Sequence, residues 1–117
     1  MADRLKILSG GDWEDFVSVP AGVLVLGKSD CEHCIEWSAE LEAKLEDESF
    51  FPEVQFGKIL LDQPGLVSFK RANPWISGLD VLPFNVIYEG GEKKKEWAGG
   101  GLERLENRLQ RLFGETS

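Results

Sequence analysis

The run Val23-Leu24-Val25-Leu26 restricts the fold of this chain more than any other stretch. Four consecutive β-branched or aliphatic residues without polar alternation read as a strand covered on both faces, and such a strand needs helices on either side of its sheet. This is also the longest clean apolar run. Crossing a bilayer takes about 20 residues, so no membrane partner is expected.

The segments around it supply those helices. Residues 4–8 alternate weakly and read as a short strand. Asp12 is placed to cap a helix over 13–19 with Trp13, Phe16 and Val17 on its apolar stripe. A longer helix is expected from near Cys31 to Glu48, with Cys34, Trp37 or Ser38, Leu41 and Leu45 recurring every three to four residues. Val54 to Leu61 reads as a second buried strand, followed by a short helix over 66–72 and an irregular stretch through 73–78. Phe84 to Glu89, Gly90-Gly91 and Glu92 to Trp97 form a strand, a turn and a polar strand. Lys93, Lys94 and Lys95 suit the solvated face of a sheet edge. A final helix carries Leu102, Leu105, Leu109 and Leu112. The order β-α-β-α-β-α-β-β-α predicts an α/β fold, a mixed central sheet flanked by helices on both faces. With no linker or repeat, residues 1–117 read as a single domain and as a monomer.

Charge narrows the partners. The 13 Lys and Arg stand against 21 Asp and Glu, giving −8, and a nucleic-acid binder needs a basic face instead. No nucleic-acid partner is expected. Met1 to Lys6 has no apolar region behind its charges, so no secretion leader is expected, and the two cysteines lie three residues apart rather than spread along the chain. Both points lead to a cytoplasmic expectation.

Cys31-Glu32-His33-Cys34 is open to three readings: a redox pair, half of a metal site, or chance. Position favours the first. The pair follows a buried strand and opens a helix, so Cys31 is expected in the first turn, where unsatisfied N–H groups and the helix dipole favour a thiolate. Cysteines so placed have pKa values lowered to about 3.5–7.5. Cys34, one turn on, can attack a mixed disulfide on Cys31 and release the substrate. A protonated His33 would stabilise the Cys31 thiolate, whereas Asp30 and Glu32 oppose it. Ser29 and Glu32 match a capping box, which would hold Glu32 toward the backbone. A zinc site wants four ligands, and the pair supplies two. His33 is the only histidine and is badly placed to add a third, so no metal is assigned.

Four features taken together resemble the thioredoxin family across nearly the whole chain: the Cys-x-x-Cys at 31–34, the stretch from Lys58 to Gly65, Val81-Leu82-Pro83 before a strand, and the hairpin from Tyr88 to Glu92 with a helix beyond. The resemblance implies a thioredoxin-like fold. It implies that the bond before Pro83 is cis and faces the Cys31 sulfur, and that the Leu82 backbone pairs with an extended substrate segment. It implies no cofactor, and partners that are protein disulfide substrates together with a thiol reductase or other electron donor. Departures mark a divergent member. Asp30 stands where the family has Trp, and Glu32-His33 where it has Gly-Pro. Val25 stands at the place of its buried acid and Ala39 at that of a kinking proline, while Lys58, the acid's usual partner and a possible tuner of Cys34, remains. The segment from Gly65 to Pro83 is longer than usual and holds Trp75, a candidate substrate contact along with Glu32 and Leu82.

The expected activity is thiol–disulfide exchange with protein substrates, with Cys31 attacking, Cys34 resolving, and His33 and Pro83 completing the site. Two alternatives stand beside it: a thioredoxin-like binding module with little turnover, and metal binding through the cysteine pair.

Overall fold

Val23, Leu24, Val25 and Leu26 are each at most 1% exposed in the computed structural model. They lie in β2 (Gly22–Gly27), the middle strand of a five-stranded sheet. Strand alternation divides the run between two cores. Val23 and Val25 pack with Trp37, Leu41, Ile87, Leu105 and Leu109 on one face. Leu24 and Leu26 pack with Trp13, Phe16, Ile59, Phe69 and Val86 on the other.

The structure describes residues 4–114; Met1 to Asp3, which enter the reading of the chain's start, lie outside the described residues. In chain order the elements are β1 (Leu5–Ile7), α1 (Trp13–Val17), β2, α2 (Glu32–Leu45), β3 (Gln55–Leu60), α3 (Val67–Ala72), a 3₁₀ turn (Pro74–Gly78), β4 (Phe84–Glu89), β5 (Glu92–Ala98) and α4 (Leu102–Phe113). The sheet order is β1-β3-β2-β4-β5. β1, β3 and β2 run parallel, and β4 and β5 continue antiparallel. Helices α2 and α4 cover one face, α1 and α3 the other. This is the expected mixed sheet with helices on both sides.

Several boundaries differ from the sequence reading for local reasons. α1 stops at Val17, and Asp12 does not cap it; the Asp12 carboxylate instead accepts the Ser9 backbone N–H at 2.6 Å. α2 ends at Leu45, because Asp47 turns back to accept the Ser49 backbone N–H at 3.0 Å. The stretch expected to be irregular holds a 3₁₀ turn with Pro74 at its start, where a missing N–H costs nothing. β5 carries its three lysines on the sheet edge, as expected, with Lys94 Nζ 3.0 Å from Glu92.

One buried polar residue organises the α2/α4 side. Asn85, fully buried in β4, accepts the Trp37 indole N–H at 2.8 Å and donates to the Gly99 carbonyl at 2.7 Å. A single amide thus joins α2, β4 and the loop that leads into α4.

Candidate active site

β2 leaves the sheet at Gly27, and the exposed residues Lys28, Ser29 and Asp30 carry the chain to the start of α2. The capping box expected of Ser29 and Glu32 does not form. The helix begins two residues later than that pattern needs, with Cys31 as its N-cap. Ser29 turns across the sheet end instead: its backbone N–H donates to Asp62 at 3.1 Å and its hydroxyl donates to the same carboxylate. These two bonds hold the Asp62 carboxyl below its ordinary value of 3.8, the Ser29 hydroxyl being the larger cause. The loop before Cys31 is thereby tied to the turn after β3.

Cys31 and Cys34 are joined in a disulfide, their Cα atoms 5.2 Å apart. Cys31 is half-buried and Cys34 is 4% exposed, so an incoming sulfur can reach only the first of them. As N-cap, Cys31 has an extended backbone, and its Sγ accepts the Cys34 backbone N–H at 3.2 Å. In the reduced protein that N–H and the helix dipole favour a thiolate at Cys31. Gly27 makes room for the second sulfur: a Cβ there would stand 3.0 Å from both Cβ and Sγ of Cys34.

Behind Cys34 lies a cavity of about 200 Å³. Val25, Ser38 and Lys58 line it along with Cys34, and Lys28 closes another side. Val25, which occupies the place expected of a buried acid, is 1% exposed and stands opposite Lys58 in the β2–β3 pairing. The lining therefore holds two lysines and no carboxylate. Lys58 is half-buried rather than fully in solvent. The sequence reading placed Ser38 on the buried stripe of this helix, four residues after Cys34 and so on the same face, without giving it a part in the site, and it did not name Gly27 for one.

The remaining candidates spread around this centre. His33 is exposed, and its one polar contact among the described residues is a 3.9 Å approach of Nδ1 to Glu36. Glu32 is exposed in the first turn of α2. The Leu82–Pro83 peptide bond is cis. The pairing of Leu26 with Phe84 puts Pro83 at the sheet end where β2 departs for Cys31. The Pro83 carbonyl accepts the Gly99 N–H at 2.7 Å, whereas the Leu82 backbone makes no hydrogen bond to the described residues. The Trp75 ring lies 6.0 Å from that of Phe84, the residue after Pro83, and is covered by Lys93 Nζ at 3.9 Å. Among the described residues no group of three or more His, Cys, Asp and Glu is arranged to hold a metal.

No family model and no curated protein matches the chain. Solved structures do. Thioredoxin f2 of Chlamydomonas reinhardtii superposes with a TM-score of 0.76 at 16% identity, over 96% of this chain and 99% of that one. The long form of thioredoxin f from spinach chloroplast gives 0.74 at 20% identity, over 92% and 85%. Thioredoxin O2 from Arabidopsis thaliana, in its oxidized state, gives 0.73 at 21% identity, over 94% and 95%. At these identities the likeness establishes the fold: the chain has a thioredoxin fold.

Proposed function

We propose that this chain is a protein thiol–disulfide oxidoreductase that works through Cys31 and Cys34. The observation that carries the reading is the asymmetry of the pair: an accessible sulfur capping a helix, and a buried sulfur one turn behind it.

The Cys31 thiolate attacks one sulfur of a substrate disulfide. A Cys31–substrate disulfide forms, and the other substrate sulfur leaves as a thiolate and takes a proton from solvent. Cys34, having lost its proton, attacks Cys31 Sγ; the Cys31–Cys34 bond forms and the second substrate thiolate departs. The substrate gains two electrons and the pair loses two. A thiol reductase or another dithiol returns the pair to its reduced form, and each step runs in reverse with an oxidised pair and a reduced substrate. The unpaired Leu82 backbone supports pairing with an extended substrate segment, in the manner of an added strand. A reducing, cytoplasmic setting and a monomeric chain belong to the same reading.

The test is capture of the intermediate. Cys34→Ser, mixed with a reporter protein disulfide, should accumulate a covalent adduct that dithiothreitol dissolves, and Cys31→Ser should not. Absence of any adduct with Cys34→Ser would overturn the reading. If the double variant still held a partner, the binding-module alternative would take its place.

A further inference from the structure

Three elements wall the cavity behind Cys34. β2 supplies Val25, α2 supplies Cys34, Ile35 and Ser38, and β3 supplies Lys58 and Leu60. Its volume of about 200 Å³ has room for more than one water, each of which fills about 30 Å³ in the liquid. Two of its polar groups are unpaired. Ser38 is 6% exposed, and its hydroxyl has no hydrogen-bond partner among the described residues. A hydroxyl so enclosed is destabilising until an occupant of the cavity takes its bond. Lys58 is half-buried, and its ammonium likewise has no ion pair or hydrogen bond among the described residues. Lys28, on another side, also acts on Asp62.

Resolution leaves a proton to place, because Cys34 must lose its own before it attacks. The lining holds two ammonium groups, a hydroxyl and no carboxylate, so it has no side-chain base of its own. Asp62 stands outside the lining and already accepts from the Ser29 backbone and hydroxyl. Two cations without a counter-charge favour an anion between them. Val25, Ile35 and Leu60 make the rest of the wall aliphatic, which disfavours a heavily hydrated dianion and suits a monoanion with a short carbon body.

We propose that this cavity seats a small monocarboxylate, of formate to acetate size, which Lys58 and the Ser38 hydroxyl hold and which takes the Cys34 proton during resolution. This rests on the thiol–disulfide reading above. A carboxylate oxygen accepts the proton from Cys34 Sγ and becomes a carboxylic acid. The Cys34 thiolate attacks Cys31 Sγ, the Cys31–Cys34 bond forms, and the substrate sulfur leaves as a thiolate. The acid then returns its proton to solvent, and no electron passes to or from the carboxylate.

The experiment mixes the reduced full chain with dithiodipyridine, a neutral disulfide that releases one absorbing pyridinethione when Cys31 attacks and a second when Cys34 resolves. The first phase scales with reagent concentration and the second does not. Sodium formate or acetate replaces sodium chloride at constant pH and ionic strength, chloride being an anion that takes no proton.

The second phase should accelerate at least about tenfold and then level off as the site fills. That is below the 10²–10⁴-fold of a fully positioned base, since water remains a competing acceptor. The first phase should be insensitive to the exchange of anions. Lys58→Met and Ser38→Val should each lose the saturating acceleration, and the wild-type titration decides the matter without either variant. A second phase indifferent to carboxylate, or a rise that never saturates and survives in both variants, would overturn the site and leave the proton to water. Failure of the underlying reading looks different: the second pyridinethione would then appear at a rate proportional to reagent concentration, each cysteine reacting on its own.

Discussion

The backbone N–H of Cys34 points at the Sγ of Cys31, 3.2 Å away, while the sulfur of Cys34 itself is buried under the first turn of α2. The two sulfurs of one short motif therefore have opposite surroundings, one exposed to a helix dipole and to solvent, the other enclosed. Alkylation of the reduced protein at neutral pH should follow this order. We expect iodoacetamide to modify Cys31 at least about tenfold faster than Cys34, since the thiolate reacts and the helix N-terminus favours it. Peptide mapping after partial labelling reads the ratio, and equal labelling would remove the assignment of roles.

The cavity behind Cys34 makes a second prediction. Lys28 and Lys58 line it and no carboxylate does, so the charged side chains around the Cys34 thiolate formed during resolution are both cations there. Lys58→Met should slow substrate release from the mixed disulfide by roughly tenfold below pH 8, an effect about as large as one unit of thiol pKa. Single-turnover release measured from pH 6 to 9 checks this. An unchanged pH profile would mean that Lys58 acts only as part of the cavity wall.

Asn85 should be costly to replace. Asn85→Leu leaves the buried Trp37 indole N–H and the Gly99 carbonyl without their partner. The expected loss is about 2–3 kcal/mol, the range for orphaned buried polar groups. Urea unfolding followed by tryptophan fluorescence measures it.

The bond from Ser29 to Asp62 gives an acid dependence. Asp62 has its folded pKa below the ordinary value of 3.8, so the link stabilises the folded chain above that value. That contribution fades as pH falls below 3.8 toward the lowered folded value. The stability difference between wild type and Ser29→Ala should be constant from pH 5 to 7 and shrink toward pH 2. A difference that persisted undiminished at pH 2 would place its origin elsewhere.

Ser29 also shows where local pattern stops being informative. Its spacing to Glu32 fits a capping box, but its partner lies 33 residues away, at the end of a neighbouring strand. The same limit hid an open cleft beside the disulfide, whose walls come from Lys28, Leu61 and the 74–82 stretch, close only after the sheet has formed. By contrast, β4 was legible to the residue, since Pro83 and Gly90 bracket an apolar run that nothing distant overrides. β2 was legible because burial on both faces leaves it no polar position. Asn85 stood in plain view as the one amide in Phe84-Asn85-Val86-Ile87, yet its role depends on Trp37 and Gly99, which the sequence alone does not bring near. Cys31 as cap rather than first-turn residue is a shift of one position, and it strengthens the chemical reading.

The redox equilibrium of the pair is the most direct measurement. The protein would be brought to equilibrium in glutathione and dithiothreitol buffers of graded oxidised-to-reduced ratio, which together cover the range, quenched with an alkylating agent and weighed. The account predicts one reversible two-electron transition in which both cysteines change together, between about −120 and −270 mV, the span of exchange-active pairs. Cysteines that are labelled in every buffer, or protected in every buffer, would contradict it.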